Sequence, residues 1–220
     1  EHMIYHCEIV ARVTEHALIV GDLPFMTYTV SVEQAMTSAA RLMQESGIQA
    51  VKLEGGAYIA PTIQRITQAG IPVMAHIGLT PQSVNQFGGF RVQGRELDAA
   101  RQLISDAQAL QSAGAFAVVL ELVPAPLSQL ISDLLTIPSI GIGAGTGCDG
   151  QVQVFHDLLT MAGEFLPKHA RRYMNAQDQM QNAVSQYTAD VKNGSFPTDA
   201  QAFTMNADII AQLRSEFKAK

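Results

Sequence analysis

No run of lysine or arginine occurs anywhere in this 220-residue chain, no apolar stretch approaches the length that crosses a bilayer, and cysteine and histidine form no zinc-type cluster. The first absence, together with a net charge of −6, argues against nucleic acid or an anionic membrane as a partner, so any positive site must be local. The second argues against a membrane span, and the third leaves oxygen donors as the candidate metal ligands. The only two cysteines, Cys7 and Cys148, lie far apart and read as reduced thiols of a cytoplasmic protein. No internal repeat and no low-complexity linker stands out.

What is present is apolar material, 47% of residues against 15% charged, enough for one well-buried core. Strand-like and helix-like segments alternate. Strands are expected over 17–23, 49–54, 72–76, 117–122, 138–143 and 151–156, and helices over 32–45, 59–69, 97–112 and 126–135. A long polar, glycine-rich connection is expected over 77–95. Apolar strands each followed by a helix describe a parallel sheet, and without a Rossmann-type break in strand order the expected class is α/β, a (β/α)8 TIM-type barrel. Six strands fall short of eight, so the first two are expected to be absent from this chain. The opening Glu1-His2-Met3-Ile4-Tyr5-His6 reads as the middle of an amphipathic helix, which places them, with any targeting signal, upstream.

Beyond Gly163 the strand signal ends and glutamine and asparagine accumulate. Helices are expected over 176–192 and 207–218, broken at Gly194-Ser195-Phe196-Pro197. The expected organisation is a catalytic barrel domain over 1–162 and a C-terminal helical extension over 163–220, packed on the barrel or on a neighbouring subunit.

In such a barrel the chemistry sits at the carboxyl ends of the strands. Those ends carry Asp22, Lys52 with Glu54, His76, Glu121, the run Gly141-Ile142-Gly143-Ala144-Gly145, and His156 with Asp157. Several polar residues interrupting apolar runs at one relative place are hard to explain as packing. Alternation along Val51-Lys52-Leu53-Glu54 puts Lys52 and Glu54 on one face, either as an ion pair or as an anion site beside a cation site. Asp22 and Glu54 are hard donors that suit Mg²⁺, against the alternative of a capped turn or a surface ion pair. Lys52 would face a substrate carboxylate or a developing oxyanion. Glu121, among Val118, Val119, Leu120 and Leu122, suits a general base made more basic by desolvation, or else a structural acid paired with Lys52. The glycine run either presents backbone N–H groups to an anion or makes a close turn, and His156 and Cys148 read as structural.

Three stretches match one family closely: Gly21-Asp22-Leu23-Pro24-Phe25-Met26, Val51-Lys52-Leu53-Glu54-Gly55-Gly56, and the run from His76-Ile77-Gly78-Leu79-Thr80-Pro81-Gln82-Ser83 to Arg95. With Leu120-Glu121-Leu122-Val123-Pro124 and Ile140-Gly141-Ile142-Gly143-Ala144-Gly145, they resemble ketopantoate (3-methyl-2-oxobutanoate) hydroxymethyltransferase, from the first residue to about Pro197. The resemblance implies a (β/α)8 enzyme of pantothenate biosynthesis that uses Mg²⁺. It implies transfer of a one-carbon unit from 5,10-methylenetetrahydrofolate to 3-methyl-2-oxobutanoate, giving 2-dehydropantoate through a Mg-stabilised enolate. By the same resemblance Asp22 would hold metal and substrate, Lys52 would contact substrate, Glu54 would join the metal shell, Glu121 would be the base and His76 an accessory. The family's Gly-Asp-Ser motif, which supplies another metal-binding Asp and a substrate-binding Ser, would lie upstream of Glu1. Family members form decamers, which implies a homo-oligomer. Two other readings are a Mg-dependent lyase or mutase of the phosphoenolpyruvate mutase and isocitrate lyase kind, against which the lack of a Lys-Lys-Cys-Gly-His-type loop argues, and a non-catalytic truncated remnant.

Overall fold

A computed structural model of the chain describes residues 1–161 and 163–217, the side chain of Phe87 excepted. Six parallel strands form one sheet: β1 (Val20–Asp22), β2 (Ala50–Glu54), β3 (Val73–Gly78), β4 (Ala117–Glu121), β5 (Ser139–Ile142) and β6 (Gly150–Gln151), neighbouring in space in the order they follow in the chain. Around them run α1 (His2–Val13), α2 (Val32–Ser46), α3 (Ala60–Gln68), α4 (Val84–Phe87), α5 (Leu97–Ser112) and α6 (Ala125–Leu134); later in the chain come α7 (Phe155–Leu158), α8 (Ala176–Asn193) and α9 (Ala207–Phe217). An unbroken order is that of a singly wound sheet, not of a doubly wound one. Among the described residues it amounts to an open half-barrel: β1 and β6 each pair on one side alone, and a closed eight-stranded barrel is not present.

Local sequence explains the elements that frame the sheet. Ser31 starts α2 by accepting the Gln34 N–H at 3.1 Å, and Gly47 ends it with φ +75° in the left-handed region that a Cβ disfavours. Along β2, β3 and β4 the period of two sends Val51, Leu53, Val73, Ala75, Ile77, Val118 and Leu120 to one face. There they join one buried core with Leu42 of α2, Ile63 and Ile66 of α3, Leu103 and Leu110 of α5 and Ile131 of α6. The opposite positions, Lys52, Glu54, His76 and Glu121, are left to the other face.

Most expected elements are present to within a residue or two, α5 at its expected limits. The sixth strand is a correction. Pairing ends at Gln151, and Phe155–Leu158 is a helical turn, so His156 and Asp157 end no strand. Val152 and Val154 alternate as a strand would, but both are about half exposed at an edge, and alternation without burial does not hold a ladder. The connection over 77–95 is also more ordered than expected, since β3 runs on to Gly78 and a 3₁₀ turn at Pro81–Ser83 leads into α4.

The chain divides into two compact units, one of Glu1–Val154 with Pro167–Ala170, the other of Phe155–Leu166 with the chain from Arg171. The expected domain limit at 162 and helix end at Lys218 lie outside the described residues. In the second unit no residue of α8 or α9 is buried. No described helix is long and apolar enough to cross a membrane.

Gly78 shows what the sheet requires at its upper rim. Its φ is +89°, and a Cβ there would run into the main-chain carbonyl of Glu121 on the neighbouring strand. Gly78→Ala is therefore expected to lose about 1–3 kcal/mol of stability, read as a lower urea midpoint at unchanged slope.

Candidate active site

Strand register assembles the charged residues that the sequence pattern picked out. Asp22 lies opposite Lys52 across the β1–β2 pair, and Glu54 opposite His76 across β2–β3. On the third pair Glu121 stands opposite Gly78, which places it diagonally from His76 on the same face. The five side chains form a continuous line. Lys52 Nζ donates to Asp22 Oδ2 and to Glu54 Oε1, each at 2.8 Å. His76 then bridges two acids, with Nδ1 3.6 Å from Glu54 Oε1 and Nε2 3.3 Å from Glu121 Oε2. Neither nitrogen makes a hydrogen bond of good geometry, so these contacts are chiefly electrostatic. The expected alternative for Glu121, a pairing with Lys52, is not what forms: its partner is His76.

The middle of the cluster lies deep, with the Glu54 and His76 side chains 4% and 3% exposed, while Asp22 at its end is 41% exposed. Burial by itself would push the Glu54 carboxyl up, but His76, Lys52 and the N–H of Gln82 together outweigh it and hold Glu54 down at about 2. For His76 burial favours the neutral ring, and the flanking Glu121 and Glu54 reverse that, raising its affinity for a proton. Burial raises Asp22, and Lys52, shared with Glu54, offsets only part of the effect.

Two residues of the site were not picked out from the sequence. The buried hydroxyl of Tyr28 accepts the Glu54 N–H at 3.2 Å and lies 2.9 Å from Gln82 Oε1, to which it donates. Gln82 in turn donates its main-chain N–H to Glu54 Oε2 at 3.0 Å and its Nε2 to the Leu23 carbonyl at 2.9 Å. The loops after β1 and β3 thus clamp Glu54 from both sides. Gln82 lies in the long motif running from His76, a signal that could have found it; nothing in the local pattern marks Tyr28.

The remaining candidates separate. Gly143 and Gly145 have φ of +65° and +79° and pack against Leu122 and Ala125, so the glycine run makes a close turn. Cys7 and Cys148 are both free thiols. His156 is exposed and belongs to the second unit. Leu122, directly after Glu121, has φ +47°, an uncommon conformation for leucine, held by its N–H to the Ile142 carbonyl at 2.9 Å and by its carbonyl accepting the Gln93 N–H at 2.8 Å.

The donor set suits Mg²⁺ at one point. Asp22 Oδ1 is buried and has no hydrogen-bond partner, and an orphaned carboxylate oxygen beside a second acid is what a hard cation takes up. Glu54 is committed at both oxygens, to Lys52 and to Gln82, so it lies behind Asp22 as supporting charge. No group of three His, Cys, Asp or Glu among the described residues could hold a metal, so substrate and water oxygens would have to complete a shell.

Fold and cluster together define a parallel α/β protein of barrel type whose strand ends gather one lysine, one histidine and three carboxylates. A solved structure of a phosphonomutase candidate from Burkholderia cenocepacia J2315 shares this fold, with TM-score 0.51, 16% identity, and coverage of 87% of this chain and 77% of that one. The family model for ketopantoate hydroxymethyltransferase matches residues 1–199. The chain is 57% identical over its whole length to the 3-methyl-2-oxobutanoate hydroxymethyltransferase of Chloroflexus aurantiacus, covering 78% of that relative. It is 52% identical over 97% of its length to the enzyme of the same name from Dehalococcoides mccartyi, covering 77% of it. The chain belongs to the ketopantoate hydroxymethyltransferase family, a family of transferase enzymes.

Two outcomes follow from the Glu54 clamp. Tyr28→Phe leaves the buried Glu54 N–H without its acceptor and is expected to cost about 1–3 kcal/mol in a denaturant titration. Because the folded-state value of Glu54, about 2, lies below its ordinary 4.5, its contribution is complete above the latter and disappears as pH falls toward the former. Wild type should therefore lose more stability than Glu54→Gln between those limits, measured by urea midpoints across that range.

Proposed function

We propose that this chain transfers a one-carbon unit from 5,10-methylenetetrahydrofolate to 3-methyl-2-oxobutanoate, giving 2-dehydropantoate and tetrahydrofolate. The keto acid and the hydroxymethyl transfer stand in the names of its relatives. The observation that carries the reading is the line Asp22, Lys52, Glu54, His76, Glu121 on one face of the sheet, with a base at one end and an anion-binding ammonium beside the carboxylate at the other.

Each residue has a chemical task in that line. Lys52 has three N–H donors, two of them engaged by Asp22 and Glu54, which leaves one for the substrate's carboxylate or keto oxygen. Mg²⁺, held through Asp22 with Glu54 behind it, would supply Lewis-acid polarisation of the keto acid. Glu121, its side chain 12% exposed, takes the proton from C3, and His76 holds the carboxylate in place from its buried side. The C3 carbon then attacks the methylene carbon as one of that carbon's two C–N bonds breaks, a water oxygen replaces the second nitrogen to make the hydroxymethyl group, and the proton from C3 and one from the water end on the two folate nitrogens, so that tetrahydrofolate leaves. A cytoplasmic homo-oligomer without nucleic-acid or membrane partners belongs to the same reading. In support of an oligomer, Met180, Val184, Tyr187 and Val191 form an apolar stripe on α8, each 48–65% exposed.

The test is exchange of the C3 proton for deuterium in the absence of folate. Glu121→Gln should slow this exchange and the full turnover by about 10²–10⁴-fold while keto acid binding persists. Exchange at the wild-type rate in that variant would remove Glu121 from the role of base.

A further inference from the structure

The β1–β2 pair stops one rung short. Bonding residues alternate along a parallel ladder, so once the Leu23 N–H has donated to the Lys52 carbonyl at 3.1 Å, the next rung due is Glu54 N–H to the Leu23 carbonyl. That bond does not form, although both residues are buried and an unpaired main-chain group is costly there. A side-chain bridge takes its place. The Glu54 N–H donates to Tyr28 Oη at 3.2 Å, Tyr28 donates to Gln82 Oε1 at 2.9 Å, and Gln82 Nε2 donates to the Leu23 carbonyl at 2.9 Å. Three hydrogen bonds through a hydroxyl and an amide stand where one rung belongs, so the two main chains are held apart at this level.

The opening falls directly after Asp22 and at Glu54, the two acids that share Lys52 Nζ at 2.8 Å each. Neither bridging residue belongs to either strand. Tyr28 comes from the loop after β1, and Gln82 from the 3₁₀ turn at Pro81–Ser83 after β3, where its main-chain N–H also holds Glu54 Oε2 at 3.0 Å. Tyr28 is 3% exposed, so water does not compete for its hydroxyl. Its Oη lies 3.2 Å from the Glu54 carbonyl as well, and so meets both main-chain groups with which Glu54 would extend the ladder. With the rung closed, the strand ends would draw in to about 4.8 Å. The carboxylates of Asp22 and Glu54 would then crowd together, and the space at Asp22 Oδ1, the oxygen without a partner, would narrow.

We propose that Tyr28 and Gln82 are positioning residues whose bridge props β1 and β2 apart, so that Asp22 keeps an open oxygen for a divalent cation while Lys52 and Glu54 stay beside it. The assignment rests on the cation-binding role of Asp22 proposed above. It gives a buried tyrosine and a glutamine from a third loop a task beyond satisfying each other.

Mn²⁺ binding to the full chain tests it, with the free ion counted by electron paramagnetic resonance. Tyr28→Phe removes only the hydroxyl, and Gln82→Met keeps the length while removing both polar atoms. Each is expected to weaken Mn²⁺ by about tenfold or more. Ser139→Ala loses a buried hydroxyl bonded to Asp149 at the start of β5, the opposite end of the sheet. It is the control for lost stability alone and should bind Mn²⁺ as wild type does. The double variant Tyr28→Phe with Gln82→Met releases the Glu54 N–H and the Leu23 carbonyl together, and its crystal structure should show them bonded directly. Wild-type Mn²⁺ affinity in both single variants overturns the positioning role, as does a wild-type chain that takes up no Mn²⁺. A gap that stays open in the double variant overturns the bridge as what props the strands. The reaction fails separately: a wild-type chain that binds Mn²⁺ yet exchanges no C3 proton overturns the transfer reading and leaves this assignment standing on its Mn²⁺ affinities.

Discussion

The ammonium of Lys52, 2.8 Å from a carboxylate on each side, is the contact on which the site depends. Three acids converge at the ends of β1, β2 and β4, and taking ionised carboxylates out of water is costly unless an opposite charge comes with them. One lysine cannot neutralise three acids. His76, held between Glu54 and Glu121 and drawn toward its charged form by both, supplies part of the balance. What remains is a negative excess centred on Asp22, whose Oδ1 has no partner. Such a surplus weakens the cluster as pure structure, since each acid kept from water without a full counter-charge costs stability.

The scaffold keeps that surplus in place through backbone features that would be liabilities elsewhere. Gly78 has no side chain, so β3 can turn away at the level where Glu121 emerges from β4. Leu122, in an unfavourable conformation, redirects the chain directly after Glu121 and is tied at both its N–H and its carbonyl. Strain next to a charged pocket, fixed by hydrogen bonds to two other segments, is how a rigid constellation is maintained against repulsion among its own acids. The Tyr28 and Gln82 clamp does the same for Glu54, satisfying its backbone and one carboxylate oxygen with groups from two different loops.

Much of this was legible before the tertiary arrangement was known, for a reason that also marks its limit. Lys52 and Glu54 alternate with Val51 and Leu53, so the period of two alone assigns them to one face, and Asp22, His76 and Glu121 each interrupt an apolar run at its carboxyl end. The same reasoning failed at His156, where Val152 and Val154 alternate but find no interior to enter and the chain turns into a helix instead. Tyr28 and Gln82 escaped because their partners are distant in sequence and no periodicity encodes a hydrogen bond across three loops. The pairing of Glu121 was misjudged in its alternative form, since the choice between Lys52 and His76 depends on a diagonal across two strands.

The sequence by itself determined the α/β alternation, the parallel sheet, the acids at its upper rim and the membership of the family, because each is a matter of local pattern or of shared residues along the chain. Only the tertiary structure decided which charges meet, that His76 joins two acids where Lys52 was the other candidate, and that Glu54 is engaged at both oxygens while Asp22 keeps an open one. The physical reason is register: interstrand pairing places residues tens of positions apart within a few ångströms, and the energy of a buried charge depends on that distance rather than on position in the chain.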